Sequence, residues 1–412
     1  MSNTKEAQSV EIEKTELNIE EMKSVLKHIV TNNRVLQEKG KIPVAVNIEG
    51  LAGIGKTSTL LQLAQELGMG LTKVSLSQLD ELGDLIGFPL KEFEVCKKPD
   101  PAKPNETNPC KWIPESMLPT YIQSGYRPTG EKRMSHAVPE WIQGKGENHF
   151  LVLDDYSRAQ ARFIQATMEI IDRQEYISWK LPKGWTVLLT SNPDNGDYFV
   201  TALDTAQKTR MINVNLKFDV DVWAKWAENN EIDTRGINFL LMHPEMVNEQ
   251  KGINPRAITT FFNSITSIKD FEKDLPLISL IGEGCVGPEF SQMFSMFIDH
   301  RLDKLIHPKE ILLTPDFKEV VKKLLDTIGK GDNYRADIAS VIATRVINYT
   351  VFYASKETVT QKIKDRIIAI CVEESLFTAD LRYAIIKAIV NADKQQFQSL
   401  MMNQSIVEMS IR

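Results

Sequence analysis

Short apolar runs alternate with amphipathic stretches along the first half of the chain. The apolar runs cover residues 42–49, 70–76, 149–155, 185–193 and 212–216. Residues 17–37, 56–67 and 159–173 repeat apolar side chains at helical spacing. Such runs are typical of buried parallel strands joined by helices. The pattern predicts an α/β fold, a parallel sheet flanked by helices, over residues 17–218.

The pattern changes beyond residue 219, where helical spacing dominates. Residues 222–268 are predicted to be helical with breaks at Gly236 and Pro244, and residues 270–287 to form a linker or ordered loop. Further helices are predicted over residues 290–306, 314–328, 334–353, 355–373 and 378–390. We therefore expect a helical segment over residues 219–287 and a helical C-terminal region over residues 288–412. Residues 1–16 are polar and without period, and are expected to be disordered.

One long segment interrupts the α/β pattern. Residues 96–137 hold seven prolines among polar and aromatic residues, which predicts a long surface excursion rather than a core element. Cys96 and Cys110 in this segment suggest a metal clip, but His136 is the only nearby imidazole and no fourth ligand is apparent. The sequence therefore does not favour a zinc site. Exposed loops on a rigid scaffold carry function, so the excursion is either a loop that contacts a partner or faces a pore, or an unstructured decoration.

Charge, cysteine content and hydropathy count against a general nucleic-acid-binding protein, a disulfide-rich protein and a membrane-spanning protein. The 49 Lys and Arg against 55 Asp and Glu give a net charge of −6, which provides no general electrostatic attraction for nucleic acid, although a local basic patch remains open. The four cysteines lack C-x-x-C spacing and the N-terminus is polar, so we expect a reduced, cytoplasmic protein. No stretch approaches the roughly 20 apolar residues that cross a bilayer.

A glycine-rich loop carries the clearest chemical signal. Residues 50–57 fit the pattern G-x-x-x-x-G-K-[ST], after a predicted strand and before a predicted helix. Glycines let successive N–H groups point at one spot, and the start of the helix adds partial positive charge there, so phosphate is the expected ligand. Lys56 would reach the terminal phosphates, and the Thr57 hydroxyl would help to hold Mg²⁺. The alternative is a glycine turn that merely caps a helix.

Polar residues end two later apolar runs. Asp154 and Asp155 close the run that begins at residue 149, and Asn192 closes the run that begins at residue 185. Asp154 is expected to hold Mg²⁺ and Asp155 to orient or deprotonate the attacking water. Asn192 would lie beside the same γ-phosphate, because parallel sheets carry their ligands at the carboxyl ends of strands. Alone, each of these sequences is also compatible with an ordinary turn.

The order of these motifs resembles the AAA+ ATPases, and in detail the MoxR branch, over roughly residues 20–300. Residues 50–57 are similar to the Walker A motif, residues 84–87 to the segment after the second strand, and residues 151–159 to the Walker B block. Residues 190–193 are similar to sensor 1, Arg210-Met211 to the arginine-finger position, and residues 252–257 to sensor 2 at the lid. The fold implied is a P-loop AAA+ sheet, a helical lid over residues 219–287 and the helical C-terminal region.

The resemblance implies ATP and Mg²⁺ as cofactors and a ring, usually a hexamer, with ATP bound between subunits. Arg210 would contact the ATP bound by a neighbouring subunit, and Arg256 would contact the γ-phosphate of the ATP bound by its own subunit. Each arginine is also compatible with a surface salt bridge, and the role of Arg158 is open. The partner implied is a protein client, in this family often one with a von Willebrand factor A domain. The nucleotide-binding residues implied are Gly50, Leu51, Ala52, Gly53, Ile54, Gly55, Lys56, Thr57 and Ser58.

The sequence departs from the family pattern at the residue after the Walker B Asp, and this departure leaves the rate of ATP hydrolysis open. The family has Glu after the Walker B Asp, whereas this chain has Asp155, which is one methylene shorter. Three hypotheses follow: an ATPase that remodels protein partners, an ATP-regulated assembly or switch protein with little turnover, and a nucleic-acid motor or loader. The acidic net charge and the lack of a basic helix count against the third.

Overall fold

The structure is a computed structural model. It describes residues 16–97, 110–194, 200–201, 203–247, 252–299, 305–373, 375–404 and 406. These residues belong to two compact units, divided between Lys217 and Phe218. The tail expected to be disordered lies outside the described residues, except Glu16, which pairs in a strand. The further division into a lid and a C-terminal region stays a prediction.

All strands of the described residues lie in the first unit. They are β1 (Glu16–Leu17), β2 (Ala45–Glu49), β3 (Gly70–Ser75), β4 (Pro89–Lys97), β5 (Cys110–Pro114), β6 (Tyr126–His136), β7 (His149–Asp154), β8 (Glu175–Tyr176), β9 (Trp179–Lys180), β10 (Thr186–Ser191) and β11 (Met211–Leu216). The helices of this unit are α1 (Ile19–Glu38), α2 (Lys56–Glu66), α3 (Leu82–Ile86), α4 (Leu118–Gln123), α5 (Ala161–Arg173) and α6 (Thr205–Lys208).

The central sheet has six strands in the order β1-β11-β2-β10-β7-β3, all parallel. Its middle strands are buried on both faces, as parallel strands covered by helices must be. Phe163 and Ile164 of α5 share a core with Leu151 and Leu153 of β7. The predicted α/β sheet with flanking helices is therefore confirmed.

Residues 89–136 differ from the predicted irregular excursion. They contain a three-stranded antiparallel sheet in the order β5-β4-β6, with α4 between β5 and β6. The alternation of β4 places Val95 in the interior beside Ile113 of β5. Pro114 ends a strand, Pro119 lies in the first turn of a helix, and Pro128 lies on an edge strand. At each of these three positions the missing backbone N–H of proline is tolerated. The remaining prolines of the segment lie outside the described residues.

The cysteines also differ from expectation. Cys96 and Cys110 form a disulfide that joins β4 to β5, so the prediction of reduced cysteines is wrong for this pair. Cys285 and Cys371 are free. Among the described residues, no group of three or more His, Cys, Asp and Glu side chains is placed to hold a metal ion.

The second unit is helical. Its helices are α7 (Val220–Asn229), α8 (Thr234–Met242), α9 (Pro255–Ser264), α10 (Leu275–Asp299), α11 (Pro308–Leu313), α12 (Phe317–Ile328), α13 (Ala336–Lys356), α14 (Gln361–Val372), α15 (Ala379–Ala392) and α16 (Lys394–Met401). No described helix of either unit is both long enough and apolar enough to cross a membrane.

Two predicted boundaries in this unit are wrong. The expected linker over residues 270–287 is largely helical, because α10 begins at Leu275, although its predicted end coincides with Gly287, where a non-helical φ of 83° separates two helical segments. Gly236 lies inside α8 rather than at a break. A Cβ there would be 2.6 Å from the Phe262 ring, so this glycine serves close packing.

Candidate functional site

The glycine loop follows β2 and leads directly into α2. Gly53 and Gly55 have φ of 80° and 104°, a left-handed conformation that glycine adopts without strain. Gly55 is the N-cap of α2, so the loop ends at the free N–H groups of a helix of 11 residues. Gly50 packs against β11, and a Cβ there would be 3.0 Å from the Leu216 carbonyl oxygen. The loop has the backbone that an anion-binding turn requires.

Lys56 lies inside this loop and is only 9% exposed. Its Nζ donates to the carbonyl oxygens of Gly50 at 2.5 Å and Leu51 at 3.0 Å, and to Oδ1 of Asn192 at 3.0 Å. The structure thus brings together two predicted site residues that are 136 positions apart. These three oxygens fix the ammonium at the carboxyl edge of the sheet.

Asp154 ends β7 at the same edge and is held by three side chains. Its Oδ1 accepts from Thr190 Oγ1 at 2.6 Å and from Thr57 Oγ1 at 2.9 Å, and its Oδ2 lies 3.3 Å from Lys73 Nζ. Burial alone would raise the pKa of this carboxyl, but the hydrogen bonds from Thr190, Thr57 and Lys73 outweigh it and lower the pKa. Asp154 is therefore a carboxylate at neutral pH, with two hydroxyls beside one oxygen.

Asp155 has an unusual backbone. Its φ and ψ are 54° and 38°, the left-handed conformation, which costs a residue other than glycine some free energy and which Asp tolerates better than most. Its amide donates to Thr190 Oγ1 at 3.1 Å. A single hydroxyl therefore contacts both consecutive acidic residues.

Asn192, which follows β10, is fixed to the turn that follows Asp155. Its amide donates to Ser157 Oγ at 2.9 Å, and the Ser157 hydroxyl in turn lies 3.3 Å from the Asn192 carbonyl oxygen. The side chain of Asn192 remains directed at Lys56. The ends of β7 and β10 are thus locked together beside the glycine loop.

Polar side chains also link the strands within the sheet. Ser191 Oγ donates to Oδ1 of Asn47 at 2.7 Å, and Asn47 Nδ2 donates to Oδ1 of Asn213 at 3.1 Å. Asn213 Nδ2 then reaches the carbonyl oxygen of Lys208 at 2.8 Å. This chain, which we term the asparagine ladder, runs from β10 through β2 to β11 and the segment before Arg210.

Arg210 lies at the opposite edge of the sheet, and Arg256 lies in the other unit. Arg210 precedes Met211, which pairs with Ala45 at the start of β2, whereas the glycine loop follows the other end of β2. Its guanidinium donates to the Ala206 carbonyl oxygen at 2.6 Å and lies 3.7 Å from Asp172. Arg256 is exposed in the first turn of α9, in the second unit, and Arg158 is exposed after β7. Arg210 is therefore remote from the glycine loop of its own chain.

The strand order decides the fold. β10 lies between the glycine-loop strand β2 and the acidic strand β7, and β11 lies on the other side of β2. With the glycine loop between β2 and α2, this is a P-loop α/β fold. One edge of the sheet holds residues 50–57, predicted to be similar to the Walker A motif, and Asp154 and Asp155, predicted to be similar to the Walker B carboxylates.

Comparisons with known proteins add little to this fold. No protein-family model matches the sequence, and no curated protein sequence matches it. Solved structures that are similar include the Thermotoga maritima RuvB Holliday junction branch migration motor, at 12% identity and a TM-score of 0.32, over 93% of this chain and 89% of that chain. A variant of the same RuvB matches at 12% identity and a TM-score of 0.35, over 76% and 80% of the two chains.

A proposed ATPase from Cytophaga hutchinsonii is also similar, at 14% identity and a TM-score of 0.30, over 89% of this chain and 88% of that chain. Similarities this low do not transfer an activity, a substrate or a partner.

Three residues of the site were not predicted from the sequence. Thr190 and Lys73 hold Asp154, and Ser157 holds Asn192. Thr190 stands at the end of an apolar run, and this position is the only sequence signal for it. Its role depends on β10 lying next to β7, which the sequence pattern did not specify.

Proposed function

We propose that this protein binds ATP with Mg²⁺ and hydrolyses it, acting in a ring that remodels protein partners in the manner of the MoxR branch of AAA+ proteins. The observation that carries the proposal is the convergence of Lys56, Asn192 and Asp154 on the glycine loop. A buried ammonium, an amide and a carboxylate at one helix N-terminus suit the phosphates of a nucleotide better than a purely structural turn.

Each residue has a role in this proposal. Lys56 would exchange its carbonyl partners for the terminal phosphates, and Asn192 would lie beside the γ-phosphate. The Thr57 hydroxyl and the Asp154 carboxylate fit Mg²⁺, since both are oxygen donors and lie 2.9 Å apart. The ion would supply charge neutralisation to the phosphates. Asp155 would accept a hydrogen bond from the attacking water.

The assembly belongs to the same proposal. Arg210 lies at the opposite end of β2 from the glycine loop of its own chain, so it would serve a nucleotide held by a neighbouring copy, which requires a ring, expected to be a hexamer. Arg256 would act in cis from the second unit. The client is proposed to be a protein, and one candidate is a protein with a von Willebrand factor A domain. The protein is proposed to act in the cytoplasm.

Nucleotide binding and turnover by the Lys56→Ala variant test the proposal. Calorimetry with a non-hydrolysable ATP analogue and Mg²⁺ is expected to give a binding heat for the natural chain and none for Lys56→Ala. Phosphate release from ATP is expected to disappear in the same variant. Lys41→Ala, which removes an exposed lysine ahead of β2, is the matched control and should leave both measurements unchanged. Absence of any binding heat in the natural chain would overturn the proposal.

Asp155 favours a second candidate, an ATP-regulated switch with slow turnover. Its carboxylate is one methylene shorter than the glutamate of the related family, and its left-handed backbone fixes the direction of the side chain. If the switch is correct, the natural chain binds ATP but releases little phosphate, and Asp155→Glu raises the release rate. If Asp155→Glu lowers the rate of an already active enzyme, the motor is favoured.

A further inference from the structure

The three-stranded sheet of residues 89–136 has two chemically different faces. Residues directly opposite each other on neighbouring strands share a face, and alternate residues along one strand do so too. Lys91, Phe93, Val95 and Lys97 therefore lie on one face of β4. The register adds these partners to the same face: Lys111 and Ile113 from β5, and Tyr126, Lys132 and Met134 from β6. Val95 and Ile113, at its centre, are buried. We term the rest of this face, with the four lysines and Met134, the lysine face.

The charges of the two faces differ. Among the paired residues of these described strands, the lysine face carries four lysines and no carboxylate. The opposite face places Glu92 and Glu94 with Arg127 and Arg133, and Glu92 accepts from Arg133 at 2.8 Å. The carboxylate of Glu115, in the turn after β5, lies 3.8 Å from Lys91 on the lysine face. Positive charge is thus concentrated on one side of the sheet.

Aromatic rings hold the lysines in two pairs. The ammonium groups of Lys91 and Lys132 lie 5.1 and 5.4 Å from the centre of the Phe93 ring. Those of Lys97 and Lys111 each lie 6.0 Å from the centre of the Tyr126 ring. A cation beside an aromatic ring is held at a defined place, although each such contact contributes only about 0.5–1 kcal/mol at an exposed site. The two pairs are four strand residues apart on β4, or roughly 13 Å.

Apolar side chains are exposed in the same region. Met134, on the lysine face, is 61% exposed. Met117 and Ile122, in the segment that joins β5 to β6, are 49% and 51% exposed. Methionine is flexible and is common at surfaces that accept varied partners. The region therefore offers both positive charge and apolar contact.

The β6 edge of this sheet is unfavourable for the addition of another strand. β6 is an edge strand, contains Pro128 and has an irregular register opposite Phe93 and Val95. Proline and irregular pairing on an edge prevent strand addition. At the β6 edge, which carries Lys132 and Met134, a partner would therefore bind through side chains rather than through backbone hydrogen bonds.

We propose that the lysine face docks an acidic segment of a partner protein, in which carboxylates alternate with apolar side chains. Charge complementarity identifies the acidic component, and exposed Met117, Ile122 and Met134 identify the apolar component. Single-stranded nucleic acid is less suited, because the chain has a net charge of −6 and the arginines lie on the opposite face. That this segment belongs to the client rests on the proposed function, whereas the binding itself needs no nucleotide.

Fluorescence anisotropy with the full-length chain tests this proposal. The probe is a fluorescein-labelled peptide of alternating glutamate and leucine, and its counterparts are a lysine–leucine peptide and a single-stranded oligothymidine. Binding of the acidic peptide alone is expected, and it should weaken as salt rises. The variant Lys91→Gln/Lys132→Gln should lose about tenfold in affinity, since two lysines that face the peptide are neutralised.

Arg127→Gln/Arg133→Gln is the matched control, because it removes the same charge from the opposite face of the same sheet. It should change the affinity less than twofold if the lysine face is the site. Charge reversal in Lys91→Glu/Lys132→Glu should transfer binding to the lysine–leucine peptide, which a merely unfolded variant would not do. The affinity for the ATP analogue, measured by calorimetry, should be unchanged in every one of these variants. This result would show that the lysine face and the nucleotide site are separate.

Three outcomes would overturn the proposal. The first is that Arg127→Gln/Arg133→Gln loses as much affinity for the acidic peptide as Lys91→Gln/Lys132→Gln does. The second is that the chain binds the oligothymidine more tightly than the acidic peptide. The third is that a chain that still binds the ATP analogue does not bind the acidic peptide. The last outcome leaves the proposed ATPase intact, whereas loss of ATP binding with intact peptide binding overturns the ATPase alone.

Discussion

Thr190 Oγ1 lies 2.6 Å from Asp154 Oδ1 and accepts a hydrogen bond from the Asp155 amide at 3.1 Å. One hydroxyl on β10 therefore positions both acidic residues at the end of β7. Because Asp154 also accepts from Thr57 of the glycine loop, the three elements of the site meet at a single carboxylate oxygen.

Replacing Thr190 by valine should weaken Mg²⁺-dependent ATP binding without unfolding the chain. Valine has the shape of threonine but cannot donate to the Asp154 carboxylate, and a hydrogen bond to a charged group contributes about 1.5–3 kcal/mol. We expect the Mg²⁺ concentration for half-maximal ATP binding to rise at least tenfold, measured by calorimetry. Thr186→Val on the same strand is the control, and an equal effect there would contradict the role of Thr190.

Asp154 should make the stability of the chain depend on pH in acid. Its pKa in the folded protein is lower than its ordinary value of 3.8, so its ionised form stabilises the fold. This contribution is complete above the unfolded-state value and is lost as pH falls through the lower folded pKa. Urea unfolding without Mg²⁺ should show the natural chain more stable than Asp154→Asn at pH 7, with the difference shrinking below about pH 4. A difference that grows in acid would contradict the direction of the shift.

Arg210 should act on the nucleotide of a neighbouring copy. Lys56→Ala and Arg210→Ala are each expected to lose phosphate release, and a mixture of the two should recover part of it. In randomly mixed rings about a quarter of the sites combine an intact Lys56 with an intact neighbouring Arg210. Lys56→Ala mixed with Asn192→Ala is the control, because both residues serve the same site and no recovery is expected. Equal activity in the two mixtures would rule out action in trans.

Removing one member of the buried ion pair of Arg345 and Glu228 should destabilise the second unit strongly. These side chains are 2% and 7% exposed, and their nearest charged atoms are 3.2 Å apart. Burial lowers the pKa of the Arg345 guanidinium, and the Glu228 charge opposes this shift. Glu228→Gln leaves a buried charge without its partner and should cost about 3–5 kcal/mol of unfolding free energy.

The double variant Arg345→Met/Glu228→Leu removes both charges and should recover most of that loss, because well-packed apolar residues often replace a buried ion pair without cost. Urea unfolding, followed by tryptophan fluorescence to which Trp223 and Trp226 of the second unit contribute, measures both changes. Additive losses in the double variant would show that the two residues contribute independently.

Local spacing was enough to predict part of this structure. The glycine loop with Lys56, and the acidic end of β7, follow from a strand, a turn and a helix that are adjacent in sequence. Pairings that depend on the order of strands were not predictable in this way. The contact of Thr190 with Asp154 and the ladder through Asn47 and Asn213 both require knowing which strands are neighbours.

The sheet of residues 89–136 was missed for a different reason. Its strands are polar and mostly exposed, so they lack the apolar run or clear alternation that indicates a strand. Its prolines suggested a loop, although they occupy positions where a sheet accepts them. The disulfide of Cys96 and Cys110 depended on the same unpredicted pairing of β4 with β5.

The asparagine ladder sets a limit on how this protein can move. A strand that slides by two residues exchanges one apolar neighbour for another at little cost, whereas the buried amide of Asn47 would lose its partners Ser191 and Asn213. The part of the sheet between Lys56 and Arg210 is therefore expected to keep a constant length. If ATP drives a movement as proposed, β10, β2 and β11 should move together, because the ladder opposes shear between these three strands.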